Sequence, residues 1–189
     1  MTARRTGSTL ALMQRLAEAL IVPAGPGDAD ALAKLHVETW RETYTGLLPQ
    51  GYLGAMDVKR HAKRWRAQLA ASVKPAPVLV AEQRGGLVGY CAGGQARAGD
   101  AEVFTLYVLR RGQGAGVGGD LLRHMARVLR ADGATTLHLW VLASNLRAQA
   151  FYRYLGGASG RSRAVAGWGG GLMETCYVWP AIDALADQG

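Results

Sequence analysis

Apolar residues along this chain fall at two spacings, and each change of spacing marks a new element. A short apolar run at residues 20–24 ends at Gly25-Pro26-Gly27, a strand closed by breakers. From Asp28, placed as an N-cap, Leu32, Leu35, Trp40 and Tyr44 follow roughly one helical stripe, which Gly46 stops. Leu47-Leu48-Pro49 opens a loop or short helix. Asp57 caps a second helix whose inner side carries Val58, Ala62, Trp65 and Leu69. Lys74-Pro75-Ala76-Pro77 breaks the chain, and residues 78–83 and 87–95 read as a hairpin around Arg84-Gly85-Gly86. Residues 103–109 have the β-branched and aromatic composition of a buried strand. Helical spacing returns in Val117, Leu121, Leu122, Met125, Val128 and Leu129, up to a stop at Gly133. A strand at 135–142, a turn at Ser144-Asn145 and a short helix at 147–155, bearing Ala150, Phe151 and Tyr154, come next. Gly156-Gly157 ends that helix; a Gly- and Arg-rich loop at 160–171 leads to a last strand at 172–179, closed by Pro180.

These elements describe an α/β chain of the α+β type, antiparallel in its front half with one βαβ crossover behind. Residues 20–180 form one domain. Residues 1–19 are an extension, helical through Leu10, Met13, Leu16 and Leu20, and 181–189 a C-terminal tail.

Composition narrows the setting. With 189 residues the chain is long enough for one well-buried core. No apolar run approaches a membrane span, and Gln14, Arg15 and Glu18 interrupt any signal-peptide core, so the cytoplasm is the expected compartment. Cys91 and Cys176 lie far apart in strand-like runs without metal-type spacing, and read as buried free thiols. The four histidines likewise show no metal-ligand spacing, and no metal is expected. A net charge of +8 favours polyanionic partners. Part of it is Lys59, Arg60, Lys63, Arg64 and Arg66 on the second helix, read as a solvated face.

The most informative stretch is 101–122, AEVFTLYVLRRGQGAGVGGDLL: a strand, a turn crowded with glycine, and a helix start. Glycines let backbone approach a ligand, and the free N–H groups and dipole of the helix start favour an anion. Gly114 to Gly119 matches G-x-G-x-x-G, but residues 137–147 hold no acid for a dinucleotide ribose. The turn ends Gly118-Gly119-Asp120, without the Gly-Lys-Ser/Thr of a nucleoside-triphosphate loop.

Gln113-Gly114-Ala115-Gly116-Val117-Gly118 resembles the Q/R-x-x-G-x-G/A acyl-CoA signature of the GCN5-related N-acetyltransferases. Asn145 through Tyr152, NLRAQAFY, is similar to that family's second motif, and residues 40–49, WRETYTGLLP, to its first helix and loop. Gly157 departs from the pattern, standing where an aromatic often follows the motif's glycine. The resemblance implies a mixed, mostly antiparallel twisted sheet of about six to seven strands flanked by helices. It implies acetyl-CoA as acyl donor and direct transfer to a primary amine in a ternary complex. Backbone from Ala115 to Gly119 would hold the pyrophosphate, and Leu106, Tyr107 and Val108 the pantetheine arm, in a gap between splayed strands. Asn145 would contact that arm or the adjoining loop, with a simple turn residue as the alternative, and Tyr152 would protonate the departing thiolate, with a helix tyrosine packed against the sheet as the alternative. Glu102, eleven positions before Gln113, stands where the histone-acetylating branch has a general base, with a solvent-facing strand residue as the alternative. Trp40 and Tyr44 would line the acceptor pocket or sit in the core. The acceptor amine stays unidentified and a homodimer open. A non-catalytic acyl-CoA-binding module is the main alternative; a nucleic-acid binder is disfavoured because the arginines are dispersed.

Overall fold

Seven strands form one sheet: β1 (Leu20–Pro23), β2 (Val78–Gln83), β3 (Gly86–Arg97), β4 (Asp100–Val108), β5 (Thr136–Leu142), β6 (Ala158–Ala164) and β7 (Met173–Trp179). Their spatial order is β1-β2-β3-β4-β5-β7-β6, with every pair antiparallel except β4 and β5. The computed structural model describes residues 19–71, 76–97, 99–165 and 171–188. The helix expected before residue 19 lies outside them, as do Lys74 and Pro75 of the chain break.

Two layers of helix cover the sheet. On one face α1 (Ala29–Tyr44) and α3 (Val58–Leu69) bury Leu32, Leu35, Ala62 and Trp65 against Val78, Val80, Tyr90 and Ala92. The short α2 (Gln50–Gly54) lies between them in sequence. On the other face α4 (Val117–Ala131) sinks Leu121, Leu122, Met125 and Leu129 among Cys91, Val103, Leu137 and Leu139. Beside it α5 (Leu146–Tyr154) contributes Tyr152 to the same core. Asp57 caps α3 as its position predicts, accepting from Lys59 N at 2.7 Å and Arg60 N at 3.3 Å. Asp28 precedes α1 as expected, but its carboxylate turns back to accept from Gly25 N at 2.7 Å. It thereby closes the 3₁₀ turn Pro26–Asp28 instead of bonding the helix.

Two segments differ from the sequence reading. The first five residues of the loop expected at 160–171 are strand, where β6 pairs with β7 over Ala158–Ala164, and 166–170 lie outside the described residues. All seven of its residues are exposed, so ASGRSRA carries no apolar alternation that could have revealed it. The segment read as a tail folds back as α6 (Asp183–Ala186), burying Ile182, Leu185 and Ala186 against α4. Arg130 clamps it, reaching Asp183 at 3.0 Å and Asp187 at 2.7 Å, and Arg127 Nε donates to Ala186 O at 2.7 Å.

Both cysteines are buried and free. Among the described residues no helix is long and apolar enough to cross a membrane, and no group of metal-ligating side chains is present.

Candidate active site

The site begins where two parallel strands part. β4 pairs with β5 only from Asp100 to Val103, against Thr136 to Leu139. A register break in the β3–β4 ladder between Ala92 and Gly93 bends β4 just beyond that pairing. From Phe104 to Val108, β4 has no partner on the β5 side, so its backbone faces a gap. This is the splay expected from the resemblance.

The gap opens into a cleft of about 1090 Å³. Along one end runs the glycine turn, followed by the start of α4. Gly114 and Gly116 hold φ of +83° and +82°, a left-handed conformation that L side chains rarely adopt. Gly116 is the N-cap of α4, so the first amides of this helix emerge at the cleft. Gly114, Gly116, Val117, Gly118 and Gly119 line it, as does Gln113, whose Nε2 donates to Val108 O at 2.7 Å. Ala115 is exposed in the turn and is not among the lining residues. Gly118 leaves room for Phe151: a Cβ there would lie 3.2 Å from the Phe151 ring. Arg110, Arg123 and Arg147 give this end a basic rim.

Across the gap stand Leu106, Tyr107 and Val108 on one wall and Tyr152 and Asn145 on the other. Tyr152 is 8 % exposed, and its hydroxyl has no hydrogen-bond partner among the described residues. Burial, with the nearby Tyr44 and Cys91 in support, pushes its pKa well above the usual phenol range. The hydroxyl therefore holds its proton at any physiological pH. Asn145 Oδ1 accepts from Ala148 N at 3.2 Å, so one of its functions is to cap α5.

The far end is aromatic. Trp40 and Tyr44, from the last turns of α1, stack edge-to-face with centroids 4.9 Å apart. Tyr44 and Tyr107 share a hydroxyl–hydroxyl hydrogen bond of 2.8 Å. Burial raises the pKa of both phenols. Trp40 Nε1 is buried without a hydrogen-bond partner among the described residues. Phe104, Trp140 and Glu174 complete this end, and sequence reasoning named none of them. Phe104 and Trp140 lie on strands already drawn, so strand alternation gives their faces. Glu174 depends on the β5–β7 pairing, which sets it opposite Leu142, and carries no local signal.

Glu102 lies outside the lining of this cleft. Its carboxylate turns to His138, with Oε2 3.5 Å from Nε2, while His138 Nδ1 lies 3.1 Å from Asp100 Oδ1. Burial works to raise the pKa of Asp100, but the Thr136 and His138 hydrogen bonds outweigh it and hold the carboxyl below its usual range. Glu102 is thus anchored where β4 and β5 still pair, before the strands part.

Comparison with known proteins matches residues 32–156 to the model of the acetyltransferase (GNAT) family. The chain is 28% identical over 122 residues to the uncharacterised N-acetyltransferase YuaI of Bacillus subtilis, covering 62% of this chain and 68% of that protein. In three dimensions it superposes on the PaiA N-acetyltransferase of Thermoplasma acidophilum, solved with coenzyme A. That TM-score is 0.69 at 19% identity, covering 84% of this chain and 97% of the other. It also superposes on YncA of Salmonella typhimurium, solved with acetyl-CoA, at a TM-score of 0.66 and 21% identity, covering 87% and 94%.

Proposed function

The chain belongs to the acetyltransferase (GNAT) family, and from that premise we propose that it transfers an acetyl group from acetyl-CoA directly to a primary amine in a ternary complex. One observation carries the reading. The unpaired half of β4, the left-handed glycine turn and the partner-free Tyr152 hydroxyl all face the same gap. Two neighbours of the same fold, PaiA and YncA, were solved with coenzyme A and acetyl-CoA respectively, which supports this choice of donor.

The residues present suit such a donor. Amides at the start of α4 offer hydrogen bonds and positive dipole to a pyrophosphate. The arginine rim of the same end adds charge. Backbone groups of Leu106, Tyr107 and Val108, free of any β5 partner, offer an extended amide chain the hydrogen bonds that a strand would otherwise receive. Val108 O is occupied by Gln113 Nε2, a side-chain contact that a bound arm would displace.

The donor supplies an activated thioester carbonyl. An acceptor amine is an ammonium at neutral pH and loses a proton before attack. Its nitrogen then bonds to the carbonyl carbon, the carbon–sulfur bond breaks, the thiolate takes a proton, and the nitrogen releases its second proton, which restores the donor. We assign that proton to Tyr152, a role supported by its un-ionised hydroxyl, which has no hydrogen-bond partner among the described residues. No role in amine deprotonation is assigned to Glu102, whose carboxylate is engaged by His138 beyond the cleft.

Calorimetric titration with acetyl-CoA, followed by thiol release across a panel of amines, tests the reading. Saturable binding and amine-dependent thiol release are expected. Failure to bind acetyl-CoA overturns it. Binding without release from any amine leaves the non-catalytic module instead.

A further inference from the structure

The cleft is segregated by charge. Its turn end carries Arg110, Arg123 and Arg147, whereas Glu174 supplies the carboxylate at its aromatic end. The other lining acid, Glu42, is committed to the turn side, where its Oε2 accepts from Arg110 N at 2.9 Å. Glu174 is 17% exposed and bonds Arg163 Nε through Oε1 at 2.6 Å. Arg163 is its one side-chain hydrogen-bond partner among the described residues, so Oε2 has none there.

The surroundings of this ion pair are unusual. Arg163 lies over the Trp140 ring with Cζ 3.7 Å from the centroid, and Arg161 reaches the same ring at 5.5 Å. Two guanidinium groups on one indole repel each other, and Glu174 offsets only one of them. Because Nε of Arg163 is taken by Glu174, its forked Nη end remains directed elsewhere. β6 presents both arginines on an exposed edge, so neither is required to fill the core. Carboxylate and guanidinium therefore stand side by side at the aromatic end, Glu174 lining the cleft and Arg163 outside the lining but in contact with two lining side chains, Glu174 and Trp140.

We propose that this end selects a zwitterionic acceptor, a free amino acid. Its ammonium is received by Glu174 and its carboxylate by Arg163 and Arg161. An ion pair of this kind complements a zwitterion of opposite order, and the carboxylate offsets the residual charge of the two arginines. Trp140, Phe104 and Tyr44 provide apolar and aromatic surface for the side chain. This inference rests on the acetyl-transfer reading above and adds the acceptor class to it.

The test measures thiol release from acetyl-CoA with the twenty amino acids, their amides and the matching decarboxylated amines. The expected result is that at least one amino acid exceeds both its amide and its amine by ten-fold or more in kcat/KM. Glu174→Gln should raise the KM for that amino acid and its amide alike by at least ten-fold, with acetyl-CoA affinity unchanged. Arg161→Gln should erase most of the preference for acid over amide. Intact acetyl-CoA binding in each variant shows that the fold is retained. The inference is overturned if amides or simple amines match the acids. Acetyl-CoA binding with no amino acid acetylated overturns it too, as does a preference for acids that survives Arg161→Gln. Absence of acetyl-CoA binding by the wild type overturns the parent reading instead, so the two failures are distinct.

Discussion

Gly157→Ala should be among the most damaging single-methyl changes in this protein. An added Cβ would lie 2.7 Å from Trp179 Cζ2 and 3.0 Å from both Trp179 Cη2 and Tyr152 O. Backbone strain is not the cause, since Gly157 has no left-handed φ. The indole has nowhere to retreat: Trp179 is 2% exposed and donates Nε1 to Leu155 O at 2.9 Å. Nor can the carbonyl move freely, because Tyr152 O accepts Gly157 N at 2.9 Å. Overpacking of this kind costs about 1–3 kcal/mol and a disrupted hydrogen bond about 1 kcal/mol more, so about 2–4 kcal/mol is expected. In urea, with a slope of about 2 kcal/mol/M, the midpoint should fall by about 1–2 M at unchanged slope. Trp179→Phe removes the ring atoms that collide. In that background Gly157→Ala should cost less than about 1 kcal/mol, a coupling of about 1–3 kcal/mol. If the two changes add to within about 0.5 kcal/mol, the steric account is wrong. The same crowding would push on the carbonyl of Tyr152, so turnover should fall together with stability.

Three further outcomes follow from the site. Gly116→Val forces a β-branched residue into φ +82° at the N-cap of α4, costing about 1–2 kcal/mol locally. Calorimetry should show acetyl-CoA binding abolished, and wild-type affinity would remove the turn from the donor site. Tyr152→Phe should lower kcat by about 10²-fold with acetyl-CoA affinity within a few-fold, and unchanged turnover would exclude it as the acid. His36 is held down to about 4 from 6.5 by burial first, then by His61 and Arg64. Between those values the unfolded chain binds more protons, so stability is full above pH 6.5 and falls as pH drops towards 4, by up to about 3 kcal/mol. Urea midpoints across that window should therefore be less pH-dependent in His36→Gln, and parallel profiles would refute the assignment.

The Gly157 contact also shows what local pattern misses. From sequence, Gly157 stands where an aromatic often follows the motif's glycine. In the fold that volume is taken by Trp179, which arrives from β7 more than twenty residues later and packs onto Tyr152 at 6.3 Å between centroids. α3 and α4 were legible because burial of one face gives a helical period, and β2 because burial on both faces makes a continuous apolar run. β6 was not, because every one of its residues is exposed and only pairing with β7 makes it a strand. For α6 the signal was two or three apolar residues, Ile182, Leu185 and Ala186, too few for a period. It is held instead by Arg127 and Arg130 of α4.

The same division between local and distant order runs through the cleft. The stretch from β4 through the glycine turn into α4 is continuous in the chain, so its glycine spacing and its resemblance to the acyl-CoA signature can be read directly. The aromatic end of the cleft, where we propose the acceptor binds, is assembled from α1, β4, β5, β6 and β7, whose contributions meet only after the sheet is built. The core beneath α1 and α3 draws on β1 to β4. On the same face, the β5–β7–β6 half carries Trp140, Glu174 and the two arginines at partly or fully exposed positions. The splay joins this face to the α4–α5 side, where Phe151 and Tyr152 stand. On the proposed reading, a donor held at the glycine turn and an acceptor lying on Trp140 would approach the gap from opposite faces of one sheet. Neither would then have to leave for the other to enter, as the proposed direct transfer without a covalent enzyme intermediate requires. The buried thiols agree with this: burial raises the Cys91 pKa far above the thiol range, and neither cysteine lines the cleft.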